Sequence, residues 1–335
     1  MDNRIIALVF TLIISISNLS KADVVSDNAG EQAMISNLRT LIDSDPFFKN
    51  ISINIGAGIS GSKEFAKLSG GKSLNVLLTW QWLDEMKNLK PGTIVVTPEH
   101  SINKDFKSLA SKVKIITIHG VLHNRNIETI QKENSALIPA GTKIIFMLAG
   151  DTQQADGSWV LFDKNMAKKV VNKLPKNTNT IILNGPRTGK HINENNAIKV
   201  DEHAHRDKFD TVTQEVLNIS SSNESWSVYD FKYGQNSLWG PALKFCFENS
   251  GVILVLPGES TSMISEALSL GIKPAIYEHT AMTQTSLAYV KSLIKNKQAS
   301  SYPDFGTRLR HQEPVTNQNT LIIDALKEII NKPSK

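Results

Sequence analysis

Residues 251–278 of this chain read GVILVLPGESTSMISEALSLGIKPAIYE, and this stretch decides the fold. The apolar run at 252–256 predicts a buried strand, and the Pro-Gly pair that follows ends it. Hydroxyl residues at 260–262 then offer N-caps for a helix whose apolar residues recur with helical spacing. A glycine and a proline separate this helix from a second apolar strand at 274–277. The stretch therefore predicts one βαβ unit.

The turn between the first strand and the helix suits an anion. The free N–H groups expected at Ser260, Thr261 and Ser262, together with the positive end of the helix dipole, favour a phosphate. Glu266 lies about one turn further along the helix, where a carboxylate can accept hydrogen bonds from ribose hydroxyls. A purely structural βα turn, as found in any α/β domain, is the alternative interpretation.

Strand-like and helix-like segments alternate along the rest of the chain. Strand patterns occur at 24–27, 51–55, 74–78, 93–96, 113–118, 143–148, 180–183, 225–229, 252–256 and 274–277, and helical spacing at 32–42 and 320–330. Pro139 and Gly141 mark a linker between two such series. We therefore predict an α/β fold with two Rossmann-like domains, residues 23–141 and 142–335, whose parallel sheets face a cleft.

The N-terminus predicts export. Arg4 precedes an apolar run at 5–16, and Ser20 and Ala22 are small residues at the two positions that a signal peptidase requires. We interpret residues 1–22 as a cleaved signal peptide and expect a periplasmic or secreted protein. An uncleaved anchor is the alternative, although the run is shorter than the ~20 residues that span a bilayer. The rest of the sequence contains no stretch apolar enough to cross a membrane.

Composition narrows the class of partner. The formal net charge is +5 and the pI about 9.0, a small excess for 335 residues, with no basic run that contains interleaved aromatics. This argues against nucleic-acid binding and allows a mildly positive cleft for an anionic substrate. The single cysteine, Cys246, excludes an intrachain disulfide and is predicted to fill a helix core.

Three other motifs are too incomplete to indicate a function by themselves. Residues 185–191, GPRTGKH, echo a P-loop but are one residue short, with histidine where Mg²⁺ binding requires Ser or Thr. In the segment 201–207, His203 and His205 would share one side of an extended strand and suit a metal. Its dense charge favours a solvated loop, and we expect no metal site. A glycine cluster at 56–61 follows a strand and would allow close approach of a ligand.

The order of residues at 259–274 resembles the donor-sugar half of GT-B-fold glycosyltransferases. More narrowly, the chain is similar to the plant mitochondrial-fission "elongated mitochondria" family and its bacterial relatives. That family has a turn of the form D-S-x-S-M-x-S-E-A followed by a G-x-P-V strand. Residues 259–267 of this chain read ESTSMISEA, and Gly271 and Pro274 follow.

Further matches to this family occur in the same order along the chain. They are SDNAGEQ at 26–32 for a longer S-D-G-x-A-G-x-x-x-Q loop, VVTPEH at 95–100 for V-V-P-E-H-D, GVLH at 120–123 for G-A-L-H, FMLAGD at 146–151 for a strand ending in two glycines, GPRT at 185–188 for S-R-R-T, and NSL at 236–238 for N-P-Y. Departures at Asn28, Ala149, Ser237 and Glu259 mark a divergent member.

The resemblance implies a GT-B-like protein that binds a nucleotide-diphospho-sugar in its second domain and an unspecified acceptor in its first. It implies transfer by direct displacement with inversion, without a cofactor or a protein-bound metal, and a final helix that packs back on the first domain. The donor-site residues would be Gly150, Asp151, Arg187, Thr188, Asn236, Ser260, Thr261, Ser262 and Glu266. Arg187 would bind the diphosphate through its guanidinium group, and an ion pair within its loop is the alternative role. Asn236 would lie near the donor, and capping the following helix is the alternative role.

Three residues of the first domain are candidates for the base that deprotonates the acceptor. Asp27, Glu99 and His100 lie in loops expected at the carboxyl edge of the first sheet. A histidine such as His100 titrates in the right range, and a structural hydrogen bond is the alternative role for it.

Two other functions remain open at this level. One is a non-catalytic interaction protein that retains the fold and binds a protein partner. The other is a sugar-nucleotide epimerase, which needs a further acid/base pair that the sequence does not locate. The export signal bears on this choice, because activated sugars are made in the cytoplasm. The export signal therefore favours either a binding role of the protein outside the cell or its delivery into the cytoplasm of another cell.

Overall fold

The computed structural model describes residues 29–68, 73–154, 156–304 and 318–332. The chain divides into two compact units. Unit 1 comprises the chain up to Ile118 together with the segment from Gln318 onward, and unit 2 runs from His119 to Asn317. The predicted boundary after residue 141 falls inside unit 2, because the helix Ile127–Gln131 packs there against the helix Trp239–Glu248.

The elements alternate along the chain. The strands are β1 (Ile53–Ala57), β2 (Leu74–Leu78), β3 (Thr93–Pro98), β4 (Lys114–Ile118), β5 (Ile144–Met147), β6 (Thr152–Gln153), β7 (Trp159–Val160), β8 (Thr180–Leu183), β9 (His191–Glu194), β10 (Ala197–Val200), β11 (Trp226–Tyr229), β12 (Ile253–Pro257), β13 (Ala275–Tyr277) and β14 (Ser300–Ser301). The α-helices are α1 (Ala29–Ser44), α2 (Gly58–Lys67), α3 (Lys104–Leu109), α4 (Ile127–Gln131), α5 (Lys164–Val171), α6 (Thr211–Ser220), α7 (Trp239–Glu248), α8 (Thr261–Ser269), α9 (Gln284–Lys295) and α10 (Gln318–Asn331).

Unit 1 is built on a parallel sheet in the order β1-β2-β3-β4. All six residues of β3 are buried, as expected for a parallel strand covered on both faces. Phe65, Leu77 and Phe106 are fully buried in the core beside this sheet. Helix α10 packs against β4 and α1, so the last helix belongs to unit 1.

Unit 2 is built on a six-stranded parallel sheet in the order β11-β8-β5-β12-β13-β14. The first of these strands in the chain, β5, lies inside the sheet, with β8 and β11 on one side and β12 to β14 on the other. The strands that follow β5 in the chain are added first on one side of it (β8, β11) and then on the other (β12 to β14). The switch point is therefore the crevice between β5 and β12. This strand order is that of doubly wound nucleotide-binding folds, in which ligands bind at that switch point beyond the carboxyl ends of the strands.

Alternation along β5 buries its two faces in two different cores. Ile145 and Met147 pack with apolar residues of α7, α8 and α9, among them Cys246. Phe146 points to the other face, where it packs with α5 and α6 and stacks on Tyr277 at 5.1 Å between ring centroids. Helices therefore cover both faces of this sheet.

The α/β class with parallel sheets is confirmed, and each unit is compatible with a Rossmann-like fold. The predicted strands at 74–78 and 180–183 coincide with β2 and β8. The predicted strand at 24–27 and the predicted signal peptide lie outside the described residues. Among the described residues, no helix combines the length and the apolar character that crossing a bilayer requires.

Candidate functional site

The candidate site is the switch point of unit 2, where the loops after β5 and β12 meet. Gly150 follows β5 and Glu259 follows β12, and the Gly150 N–H donates a hydrogen bond of 2.9 Å to Glu259 Oε1. The other carboxylate oxygen of Glu259 lies 2.7 Å from His279 Nε2, and both side chains are only 2% exposed. A buried glutamate–histidine pair thus fixes the junction of the two loops.

Several groups set the ionisation of Glu259. Burial raises the pKa of its carboxyl, but the charge and hydrogen bond of His279, the Gly150 N–H and the charge of Arg187 together outweigh burial. The pKa of Glu259 therefore lies below its ordinary value, and the group is a carboxylate at neutral pH. His279 Nδ1 is buried and has no hydrogen-bond partner among the described residues.

The loop after β8 brings Arg187 to the same junction. The Asp151 N–H donates to the Arg187 carbonyl oxygen at 2.9 Å, and the Thr188 hydroxyl donates to the Ala149 carbonyl oxygen at 2.9 Å. Gly150 allows this approach, because a Cβ atom there would lie 2.7 Å from Arg187 Cβ. Thr188 is buried while Arg187 is exposed, so a buried threonine anchors a loop that carries a solvent-facing arginine.

Asp151 fixes the loops and presents no free oxygen to a ligand. Its Oδ1 accepts the Phe162 N–H at 3.0 Å, and its Oδ2 accepts the His191 N–H at 2.9 Å. His191 Nδ1 also lies 3.0 Å from Asp151 Oδ2, and the Asp151 side chain is fully buried. Asp151 is therefore a positioning residue for the site.

The first turn of α8 completes the junction. Its N-cap, Ser260, is buried and makes no side-chain capping hydrogen bond, whereas Asp163 and Asp210 cap α5 and α6 with their carboxylates. Thr261 is half-buried and Ser262 is exposed. The Ser260 and Thr261 N–H groups donate to the carbonyl oxygens of Pro257 and Glu259 at 3.2 and 3.0 Å, so the prediction that both are free is wrong. The turn lacks a carboxylate cap, and the positive end of the helix dipole favours an anion there.

Glu266 belongs to a second group, about 8 Å further along α8. Its Oε2 accepts the indole N–H of Trp239 at 2.7 Å and lies 3.5 Å from Nε of Arg125. Burial raises the pKa of Glu266, and the contacts with Trp239 and Arg125 oppose this only partly. Asn236 is exposed in the loop before α7. Trp239, which contacts Glu266, is the first residue of that helix.

The base candidates belong to unit 1. Asp27 lies outside the described residues. Glu99 and His100 form a 3-10 turn directly after β3, at the carboxyl edge of that sheet, with Glu99 exposed and His100 half-buried.

The glycine cluster at 56–61 of unit 1 has the complete spacing of a known fingerprint, a signal already present in the sequence. Gly56, Gly58 and Gly61 form a G-x-G-x-x-G pattern at the junction of β1 and α2, the position of the dinucleotide-binding fingerprint. Gly58 has φ +56°, and Gly56 and Gly61 make a close strand–helix contact. A Cβ atom on Gly58 would clash with the carboxylate of Glu31, so the glycine allows this carboxylate to approach the backbone.

The segment at 201–207 differs from expectation. His203 is exposed, but His205 is fully buried, because its ring packs against Phe231 and Tyr233. The prediction of a solvated loop is therefore wrong for His205. The P-loop echo at 185–191 leads into the strand β9 and not into the helix that a P-loop requires.

In comparisons with known proteins, no protein-family model matches this chain, and no curated protein matches it significantly.

Proposed function

We propose that unit 2 binds the diphosphate of a nucleotide-sugar at the switch point between β5 and β12. One observation carries this proposal: the exposed Arg187 is held beside Gly150, at the junction where the carboxylate-free first turn of α8 begins. A guanidinium group and helix N–H groups are the donors that bind diphosphate oxygens. The carboxylate of Glu259 does not oppose an anion here, because His279 and the Gly150 N–H take up its oxygens.

The finer proposal is a GT-B-like glycosyltransferase that acts by inversion. An acceptor hydroxyl attacks the anomeric carbon, a base takes its proton, and the bond to the diphosphate breaks in the same displacement. Asp27, Glu99 or His100 of unit 1 would supply the base. Arg187 and the N-terminus of α8 would stabilise the charge that grows on the leaving diphosphate, so this step needs no metal ion.

Glu266 gives specific support to the alternative of an interaction protein that retains the fold. In a donor site this carboxylate would face ribose hydroxyls. Here Trp239 and Arg125 contact its Oε2, so ribose would have to compete with groups of the same chain. A protein in which Glu266 is purely structural would still fold as described, but it would not distinguish nucleosides.

We expect a thermal-shift screen against UDP, GDP, CDP, ADP and their sugars to give a selective rise in Tm. A ligand at about 100 times its Kd adds about 2.7 kcal/mol, or roughly 5 °C or more for a unit of this size. Arg187→Ala should weaken the best ligand at least about tenfold, because charge-assisted hydrogen bonds to phosphate are lost. Glu266→Gln should reduce the preference among nucleosides.

Lys169→Ala is the matched control. It removes one exposed positive charge from α5 of the same unit and should leave the ligand response unchanged. A flat screen with the wild type would contradict nucleotide binding and favour the interaction protein. A response that survives both Arg187→Ala and Glu266→Gln would contradict this location of the site.

A further inference from the structure

Three buried side chains of unit 2 converge at the carboxyl edge of its sheet. Asp230 follows β11, Asp210 is the N-cap of α6, and His205 lies in the loop before that helix. One potential ligand atom from each lies within 4.8 Å of the others. His205 Nδ1 is 3.4 Å from Asp230 Oδ1 and 3.8 Å from Asp210 Oδ2.

The charge of this cluster is not balanced by the side chains around it. The exposed fractions of the His205, Asp210 and Asp230 side chains are 0%, 0% and 6%. Within the described part of the chain, neither carboxylate has a lysine or arginine partner, and the His205 imidazole is the only basic group that contacts them. Two carboxylates buried this deeply require a compensating positive charge.

The His205 ring turns its Nδ1 atom toward both carboxylates. Its Nε2 lies 2.7 Å from the carbonyl oxygen of Thr188, which only accepts hydrogen bonds, so Nε2 carries a proton. In the neutral imidazole, Nδ1 then faces Asp210 and Asp230 with an unprotonated nitrogen. Histidines that bind metals hold their second ring nitrogen in this way, by donating it to a carbonyl or carboxylate.

An unsatisfied oxygen gives independent support. Asp230 Oδ2 is buried and has no hydrogen-bond partner among the described residues, on a carboxylate whose Oδ1 faces His205. A buried carboxylate oxygen without a donor is costly unless a cation takes the donor's place.

The neighbouring contacts bear on which carboxylate oxygens remain for an ion. Asp210 Oδ1 accepts the N–H groups of Val212 and Thr213, each at 2.9 Å. Asp210 Oδ2 faces His205 and has only a longer contact of 3.4 Å from Asn184 Nδ2. Asn184 Nδ2 donates to Asp230 Oδ1 at 2.7 Å, and the Phe231 N–H fixes this amide by donating to its Oδ1. Asn184 therefore orients the carboxylates from outside the cluster, as residues behind a metal site do.

The donor set indicates the class of ion. Tetrahedral zinc with bonds of about 2.1 Å places its ligand atoms about 3.4 Å apart. His205 Nδ1 lies 3.4 Å from Asp230 Oδ1, which agrees with this value, and 3.8 Å from Asp210 Oδ2, which is slightly longer. Calcium takes about six to eight oxygen ligands, more than this cluster supplies. One imidazole and two carboxylates suit a divalent first-row transition ion.

We propose that His205, Asp210 and Asp230 bind a divalent transition-metal ion of the zinc class. The Thr188 carbonyl fixes His205, and the Thr188 hydroxyl is bonded to Ala149, so the ion pins the loop that carries Arg187. The ion would stabilise this loop whether or not a nucleotide binds at the switch point.

We expect the chelated full-length chain to take up about one Zn²⁺ per molecule in equilibrium dialysis, with a Tm rise of about 5 °C or more in excess zinc. Mg²⁺ and Ca²⁺ at the same concentration should give no shift. Asp230→Asn should lower zinc uptake below a tenth of the wild-type value. In metal-free buffer this variant should melt at or above the wild type, because an uncompensated buried charge is gone.

Asp163→Asn is the matched control, since it makes the same change at the N-cap of α5, and it should retain full zinc uptake. A wild type that takes up no zinc and shows no shift would overturn the proposal. So would an Asp230→Asn variant that loses stability equally with and without zinc, because His205 would then be the protonated partner of Asp230. If the variant does not fold, Co²⁺ absorption bands of the wild type, displaced by zinc, decide the question.

Discussion

Replacing Asp151 with alanine should lower the free energy of unfolding by about 3–5 kcal/mol, one of the largest effects expected in this chain. The fully buried carboxylate holds the backbone N–H groups of Phe162 and His191 through different oxygens. Alanine would leave both N–H groups buried without an acceptor. Chemical denaturation, monitored by tryptophan fluorescence, measures the change.

Asparagine at position 151 should be almost as harmful. An amide has one acceptor oxygen, so its NH₂ group would face one of the two N–H donors. Asp163 offers the matched control, because a single oxygen, Oδ1, accepts both N–H groups at the start of α5. Asp163→Asn should therefore change stability by less than about 0.5 kcal/mol. Equal losses at the two positions would show that the geometry of Asp151 is unimportant.

The predicted strands were accurate where burial dominates. The last three residues of β2 and all four residues of β8 are buried, and strands buried on both faces appear in a sequence as mainly apolar runs. The β9–β10 hairpin was not predicted, because all four residues of β10 are exposed and so form no buried apolar run. Its turn, Asn195-Asn196 with φ of +52° and +61°, is a signal for a tight hairpin that could have been used.

The sequence indicated which loops form the candidate site, but it did not indicate which residues of those loops contact one another. The family resemblance, together with the rule that ligands bind at the carboxyl ends of parallel strands, indicated the loops of Gly150, Arg187 and Ser260. The bond from Gly150 to Glu259 spans 109 residues, and no local pattern reports such pairing. The burial of His205 likewise depends on aromatic residues 26 and 28 positions later, so the charged sequence around it was misleading.

Replacing Glu259 with alanine should also cost about 3–5 kcal/mol at neutral pH, because it leaves a buried histidine without its partner. The pair is closed by the 2.7 Å contact between Glu259 Oε2 and His279 Nε2. In a double-mutant cycle, His279→Ala should cost clearly less in the Glu259→Ala background than in the wild type. Glu278→Ala removes an exposed neighbouring carboxylate and should have little effect.

The effect of Glu259 should depend on pH in a defined direction. The pKa of Glu259 is lower in the folded chain than its ordinary value, so its stabilisation is complete above the unfolded pKa of about 4.3. It is lost as the pH falls through the folded pKa. The stability gap between wild type and Glu259→Ala should therefore narrow as the pH falls below about 4. A gap that persists unchanged at pH 3 would mean that packing, and not ionisation, holds the loops of the switch point together.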